Sequence, residues 1–104
     1  MTEFVFTYHG GQKPSTPEEA SESMKKWQLW AARLGDALIN PGHMAMDTIV
    51  LGENDSKNQP SSNPISGFSI IKAENKEAAL ELLKSCPHLV HGGTLEVSEL
   101  IKMD

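Results

Sequence analysis

The order of hydrophobic patterns along this 104-residue chain leaves few folds open to it. Residues 2–9, TEFVFTYH, alternate in side-chain direction, which is typical of a β-strand. Residues 67–73, GFSIIKA, are a second such run, and both runs carry apolar side chains on both of their faces. Further strands are predicted at 36–40, where the turn Pro-Gly-His follows, at 44–53 and at 94–101.

The first helix is predicted over 17–34. Thr16 can cap it, Pro17 suits its first position, and Glu19 stands three residues after the cap, as in a capping box. Gly35 is the expected stop. The positive end of this helix is also expected to attract an anion such as a carboxylate. At 100° per residue the inward stripe consists of Ala20, Met24, Trp27, Ala31 and Leu34, while Lys25, Lys26 and Arg33 point away.

A second helix is predicted over 75–86, NKEAALELLKSC. Asn75 can cap its start, and Pro87, which lacks an amide hydrogen, ends it. Its inner face carries Ala79, Leu82, Leu83 and Cys86. Because Cys86 lies on this apolar face, a buried and inert thiol is predicted in preference to a nucleophile.

Strand, helix, strand, strand, helix, strand is the order of a ferredoxin-like βαββαβ domain, here with one added strand or hairpin. The sequence therefore predicts an α+β fold, with residues 1–104 as one domain and both helices on one face of an antiparallel sheet. Strands that are apolar on both faces leave the other face of the sheet in need of a cover. We expect a homodimer in which two sheets pack face to face about a two-fold axis.

Charge and cysteine content disfavour several partners. Nine Lys and Arg against fourteen Asp and Glu give a net charge of −5, so neither a nucleic-acid nor an anionic-membrane partner is predicted. Cys86 is the only cysteine, and a reducing, cytoplasmic location is predicted. The first residues do not resemble a secretory signal, and no apolar run approaches the ~20 residues of a membrane helix. No cofactor is predicted, and the histidine spacing predicts no metal site.

One family has a similar order of segments. The stretch 67–100, GFSIIKAENKEAALELLKSCPHLVHGGTLEVSEL, resembles the second half of the YCII-related, or DGPF, domain family. FVFTYHGG, the Trp-bearing helix and LGDALINPGH resemble the first half in one branch of that family. The resemblance covers nearly the whole chain and implies a dimeric α+β barrel. Relatives include isomerase-like and dehydrochlorinase-like proteins that act on ring compounds, although most of the family's chemistry is unassigned.

The chain departs from that family at the positions that matter for catalysis. One branch is credited with a His–Asp pair, the His on the first helix and the Asp just before a Pro that ends a helix. Here the helix at 17–34 contains no His, and the residue before Pro87 is Cys86. The DGPF string is also absent, and SSNPIS occupies that region. The family's dyad is therefore not carried over to this chain.

The predicted strand order brings all four histidines, His9, His43, His88 and His91, to one end of the sheet. The first and last strands are antiparallel neighbours in this fold, so His9 is expected to lie close to His91. Imidazoles that titrate near neutral pH can serve as acid and base. His9 and His91 are therefore predicted to be the catalytic residues. The alternatives are that His9 belongs to a turn, and that His91 solvates a turn or interacts with the C-terminus of a helix.

Five further residues are predicted to contact a substrate at this end: Trp30, Gly10, Gly92, His43 and His88. Trp30, at the edge of the helical stripe, would supply a flat apolar wall, and the glycines would let the backbone approach a ligand. Structural alternatives stay open. The glycines can be plain turns, His88 can shield the last carbonyls of a helix, and His43 can be an exposed turn residue. The polar segment 54–66 is either a lid or a mobile loop.

Two functions from different classes fit these residues. The first is a small cytoplasmic homodimer that performs cofactor-free acid–base chemistry, as an isomerase or lyase, on a small ring or lactone-like acid. In that case His9 and His91 would move protons and Trp30 would stack on the ring. The second is a non-catalytic dimer that binds a small metabolite or a partner protein through the same end. A haem-handling or monooxygenase-like barrel is a third, which only the architecture suggests.

Overall fold

The computed structural model describes residues 1–52 and 59–103. Four strands, β1 (Thr2–Gly10), β2 (Leu38–Met44), β5 (Ile65–Ala73) and β6 (Gly93–Glu99), form an antiparallel sheet. Their order is β2–β5–β1–β6, which is the ferredoxin-like order, and the predicted α+β class is confirmed. The short strands β3 (Ile49–Val50) and β4 (Gln59–Pro60) form a separate two-stranded antiparallel sheet. The elements are β1 (Thr2–Gly10), α1 (Pro17–Leu34), β2 (Leu38–Met44), β3 (Ile49–Val50), β4 (Gln59–Pro60), β5 (Ile65–Ala73), α2 (Lys76–Leu83), α3 (Pro87–Val90) and β6 (Gly93–Glu99).

The core lies between the helices and one face of the sheet. Phe4 and Phe6 of β1 are buried at its centre, and Phe6 pairs with Ser69 on one side and Val97 on the other. The remaining buried apolar members are Trp30, Leu34, Ile71, Ala73, Ala79, Leu83 and Cys86. The strict alternation of β1 therefore sends every second side chain into this layer.

Helix α1 has the predicted bounds, and its cap explains them. The amide of Glu19 donates to Thr16 Oγ1 at 3.1 Å, and Pro17 stands at the first helical position. The Glu19 carboxylate, however, accepts from the amide and the hydroxyl of Ser15, both at 2.8 Å, so the predicted bond back to the capping residue is replaced by one to its neighbour. Gly35, at φ +52°, ends the helix as predicted.

Strand β2 differs from its prediction. It does not end at Asn40, because the chain continues through Pro41 and Gly42 as a bulged strand paired to β5. Gly42 makes this course possible, since a β-carbon there would lie 1.6 Å from the carbonyl oxygen of Phe68, and its φ is +78°. Within the described residues the predicted strand at 44–53 is divided. Met44 ends β2 and pairs with Gly67 of β5, and Ile49–Val50 form a strand of their own that pairs with β4.

The second helical region is divided in two. Helix α2 ends at Leu83, three residues earlier than predicted, although Asn75 caps it as expected through a 2.8 Å bond from the amide of Ala78. Cys86 is extended, as a residue before proline prefers to be, and Pro87 begins α3 rather than ending α2. The inner face is confirmed, with Ala79, Leu83 and Cys86 buried.

None of the helices formed by residues 1–52 and 59–103 covers the other sheet face. Val5, Phe68 and Ile70 lie there and are only half-buried. Strand β6 ends at Glu99, so Ile101, which was predicted to lie in it, is outside the strand and 80% exposed. Of the segment predicted as a lid or loop, residues 54–58 lie outside the described residues, and the remainder forms β4, a short turn and the start of β5.

Candidate functional site

The chain segments that carry His9 and His91 meet at one end of the sheet, as predicted. His9 pairs with Thr94 across β1 and β6, and the amide of Gln12 donates to the carbonyl of His91 at 3.0 Å. Gly10 pairs with Gly93 in the same ladder. The antiparallel neighbourhood of the first and last strands therefore joins these segments through their backbones.

The imidazole of His9 lies on the sheet face without helices and is only 3% exposed. Its Nδ1 faces the carbonyl oxygens of Asn63 and Pro64, at 3.1 and 3.2 Å, and therefore carries a proton. Its Nε2 lies 2.7 Å from Thr7 Oγ1 and 3.5 Å from Glu96 Oε1. Both ring nitrogens of His9 therefore have partners within the protein.

His91 lines two clefts beside α1, on the helical side of the sheet. Because Phe6 and Tyr8 point toward α1, Thr7 and His9 point away from it. The His9 ring therefore faces the side of the sheet opposite to the clefts that His91 lines. The structure brings the two backbones together, but the His9 ring is not part of those clefts.

His88 holds this end of the fold together. Its Nε2 donates to the carbonyl of His9 at 2.8 Å, and its ring meets that of Tyr8 edge to face, with centroids 5.4 Å apart. The ring also occupies the space beside Gly11 and Gly93, where a β-carbon on either residue would clash with it. His88 therefore has a structural role, although its partner is a strand carbonyl and not the helix end that was expected.

The other predicted ligand contacts are separate from one another. His43 is exposed, and its ring centroid lies 6.1 Å from that of Phe68 on the open sheet face. Gly10 and Gly92 are exposed, with φ of +67° and +80° and open space where a β-carbon would stand. The positive φ of the turn is therefore sufficient to explain why glycine stands at both positions.

The two tryptophans exchange the positions that were predicted for them. Trp30 is 5% exposed, belongs to the core and donates from Nε1 to Ser85 Oγ at 3.1 Å. Trp27 is half-buried against Tyr8, with ring centroids 5.4 Å apart. Met24, which was expected in the inward stripe, is 60% exposed. Helix α1 is therefore rotated so that Trp30 packs between the sheet and the segment 84–91, and only part of this ring borders the surface.

A groove of about 300 Å³ runs between α1 and α3, and we call it the α1–α3 groove. Lys26, Leu29, Trp30, Arg33, Ser85, Pro87, Val90 and His91 line it. The four members from α1 are spaced i, i+3, i+4, i+7, so they form one helical face. Leu29 and Val90 are exposed apolar walls. Three side chains that carry or can gain positive charge line the groove, and none of its lining residues is acidic.

A second cleft of about 250 Å³ meets this groove at Lys26 and His91. It lies beside the start of α1, where Glu19 and Glu22 contribute acidic groups. Hydrogen bonds from the backbone and side chain of Ser15 lower the pKa of Glu19, so this carboxylate is anionic at neutral pH. The protein's own carboxylate therefore occupies the helix end that was predicted to attract an anionic ligand.

A larger depression of about 670 Å³ lies at the opposite end of the sheet, near Lys72 and Glu74. None of the predicted site residues lines it. Its size alone does not make it the better candidate, because charges of both signs surround a shallow apolar floor there.

The Cys86 thiol and the Tyr8 hydroxyl are unsuited to catalysis at neutral pH. Burial raises the pKa of the Cys86 thiol to about 11, so it is protonated and a poor nucleophile at neutral pH. Burial also raises the pKa of Tyr8 to about 12. The Tyr8 hydroxyl donates to Ser69 at 2.8 Å, and Ser69 donates to the carbonyl of Pro41 at 2.7 Å. Both groups serve the core.

Sequence reasoning missed the charged members of the α1–α3 groove. Lys26 and Arg33 were expected only to point away from the inward stripe of the helix, and Leu29 and Ser85 were not considered. The signal was present in the spacing of Lys26 and Arg33, which places two cations on the same helical face as Trp30.

No protein-family model matches this chain, and no curated protein matches it. Among residues 1–52 and 59–103, no group of three or more His, Cys, Asp and Glu side chains has the arrangement of a metal site. The helices in those same ranges include none that is both long and apolar enough to span a membrane.

Proposed function

We propose that this protein binds a small carboxylic acid with a flat apolar body in the α1–α3 groove, and that it is a YCII-like protein. The observation that carries the proposal is the composition of the groove. Lys26, Arg33 and His91 stand around walls formed by Leu29 and Val90, and the residues that line the groove include no carboxylate. In a chain of net charge −5, such a local concentration of positive groups points to an anionic ligand.

The chemistry of the lining groups favours a carboxylate. A guanidinium such as that of Arg33 binds a carboxylate through two parallel hydrogen bonds, and the Lys26 ammonium adds a mobile point charge. The apolar walls suit a ring or a short hydrocarbon body. A volume of about 300 Å³ is at the lower limit for ligand pockets, so the ligand is expected to be small.

Acid–base catalysis on such an acid is the second candidate, and one observation favours it. His91 lines the same groove as the two cations, so its imidazole could exchange a proton with a bound ring acid. His9 is unsuitable as its partner, because its ring faces the other side of the sheet. An isomerase or lyase activity would therefore depend on His91 alone, and replacement of His91 by Gln would abolish turnover while ligand binding is largely retained.

A thermal-shift titration with benzoate tests the binding proposal, and benzamide, which has the same shape without the charge, is the matched control. Benzoate should raise the melting temperature in a concentration-dependent manner, since it binds only the folded state. The substitution Arg33→Gln should raise the benzoate concentration needed for the same shift in melting temperature about tenfold. Lys25 is exposed and lies outside the groove, so Lys25→Gln should leave that concentration unchanged. Equal shifts with both compounds would contradict the proposal.

We also propose that the protein is a homodimer through the sheet face that lacks helices. The support is the half-exposed apolar side chains of Val5, Phe68 and Ile70, which no element of the same chain covers among the described residues. Sedimentation equilibrium should give twice the chain mass, and Val5→Glu should lower it toward the monomer mass. A monomer mass for the unchanged protein at all concentrations would contradict the dimer.

A reducing, cytoplasmic location is proposed on the basis of Cys86. It is the only cysteine, it is fully buried, and it has no partner for an internal disulfide. Fractionation of the cells that produce the protein is the direct test, and recovery from an oxidising compartment would contradict the proposal.

A further inference from the structure

We propose that residues 44–51, which we call the arm, pack against a second copy of this chain and form part of the dimer interface. This inference rests on the homodimer proposed above and adds a second contact region to it. The arm follows β2, the edge strand of the sheet, and carries the short strand β3.

The arm exposes more apolar surface than any other segment of its length among the described residues. Met44 is 93% exposed, Met46 81% and Leu51 82%, and Ile49 and Val50 are each 52% exposed. Five of the eight residues of the arm are thus exposed large apolar side chains, a local concentration of apolar surface such as interaction sites show. Methionine is well suited to such a surface, since its unbranched side chain adapts to the shape of a partner.

The backbone of the arm is nonetheless held in place. The amide of Ala45 donates to the carbonyl of Ser66 at 3.0 Å, and the amide of Ser61 donates to the carbonyl of Thr48 at 3.1 Å. Ile49 pairs with Pro60 in the β3–β4 ladder. The apolar side chains are therefore presented to solvent from a hydrogen-bonded backbone, which reduces the entropy that would be lost on binding.

The solvent-accessible surface of the chain is larger than that of a compact monomer of the same mass. The chain exposes 7914 Å². A compact monomer of this mass exposes about 5,800 Å², so the excess is about 2,000 Å². Obligate dimers bury about 1,000 to 2,500 Å² on each partner, so an excess of this size leaves enough surface for such an interface. The side chains of the open sheet face are already half-buried, so they supply only part of that area, and the arm adds five exposed apolar side chains to it.

The shape of the molecule is consistent with a second copy as the occupant. The principal extents are 45 × 44 × 18 Å, so the molecule is a thin slab. Within the described residues, the helices pack on one face of its sheet only. In a two-fold arrangement the same patch is used on both copies, and an arm at the edge of one sheet reaches over the other. Each arm is thus expected to contact the partner while the two sheets face each other.

Paramagnetic quenching of ¹³C-labelled methionine methyl signals tests this inference on the unchanged protein. Met24, on α1 and 60% exposed, is the internal control. Above the dimer dissociation constant, the Met44 and Met46 methyls should be relaxed at least threefold less than that of Met24 by a soluble agent. Equal relaxation of all three methyls would overturn the inference.

Sedimentation of variants separates this inference from the dimer itself. Met46→Glu and Leu51→Glu should raise the dimer dissociation constant at least tenfold, while Leu80→Glu on α2 should leave it unchanged. If both arm variants dimerise as the unchanged protein does while Val5→Glu dissociates, the arm is outside the interface and the sheet dimer stands. If the unchanged protein is a monomer with a freely accessible arm, both proposals fail and the arm is left for a different protein.

Discussion

His88 Nε2 and the carbonyl oxygen of His9 are joined by a 2.8 Å hydrogen bond that connects α3 to the end of β1. The two residues are 79 positions apart in sequence, so this bond fixes the return of the chain to the central strand. The ring of His88 also fills the space beside Gly11 and Gly93. The end of the sheet that carries the α1–α3 groove is therefore shaped by a histidine with a structural role.

Replacing His88 by Ala should destabilise the fold by about 1–3 kcal/mol, because the His9 carbonyl loses its donor and Tyr8 loses an aromatic neighbour. Urea unfolding followed by circular dichroism measures this loss. His43→Ala, at an exposed position, is the matched control and should change stability by less than about 0.5 kcal/mol. Equal free energies of unfolding for the two variants would show that the hydrogen bond from His88 to the His9 carbonyl makes no net contribution to stability.

Replacing Gly42 by Ala should be severely destabilising, by about 3 kcal/mol or more, because the new β-carbon would stand 1.6 Å from the Phe68 carbonyl oxygen at a φ of +78°. Gly92→Ala is the control. Its φ is +80°, but the space around it is open, so only the backbone penalty of about 1 kcal/mol applies. Chemical denaturation of both variants gives the comparison, and a smaller loss for Gly42→Ala than for Gly92→Ala would refute the bulged course of β2.

Alkaline pH should weaken the fold through Tyr8 and Cys86. Their pKa values rise from 10.0 to about 12 and from 9.0 to about 11 on folding, in both cases mainly because burial disfavours the charged form. Between pH 9 and 12 the unfolded chain therefore binds fewer protons than the folded one, and the free energy of unfolding falls as pH rises. Below pH 9 both groups are protonated in both states, so their contribution is fully present there.

Urea midpoints at pH 8 and pH 11 measure this effect. The double variant Tyr8→Phe, Cys86→Ala has neither titrating group, so its midpoint should fall less over this interval than that of the unchanged protein, whatever its starting stability. An equal fall in both proteins would mean that other groups cause the alkaline loss.

Local patterns in the sequence were sufficient to predict the ends of α1, the buried face of β1 and the strand order. Thr16, Pro17 and Gly35 specify the ends of α1 through cap chemistry alone, and the alternation in β1 specifies which face is buried. The strand order followed from the element order, as the pairing of β1 with β5 and β6 confirms.

The errors arose where tertiary contacts outweighed local signals. Pro41 and Gly42 read as a turn, but pairing with β5 carries the strand through them as a bulge. Trp30 was placed at the edge of the helical stripe, but its packing and its bond to Ser85 draw it into the core. A lone helical period does not fix the rotation of a helix about its axis to within one residue.

The separation of the two predicted catalytic histidines could have been foreseen. Side chains alternate along β1, so His9 shares a face with Val5 and Thr7, opposite to Phe6. The sequence therefore contained the information that His9 faces the open side of the sheet. The sequence did not contain the position of His91. His91 follows the short helix α3, so the side of the sheet on which it lies depends on how α3 packs.

The most direct test of ligand binding in the α1–α3 groove is an NMR titration of the two indole N–H signals with benzoate. Trp30 donates its N–H to Ser85 inside the groove lining, whereas Trp27 lies outside that lining and serves as the reference. We predict a saturable shift of the Trp30 signal with benzoate, little shift of Trp27 and no saturable shift with benzamide. In Arg33→Gln the Trp30 shift should saturate only at a benzoate concentration about tenfold higher. An unchanged Trp30 signal at saturating benzoate, or equal responses to benzoate and benzamide, would contradict the account.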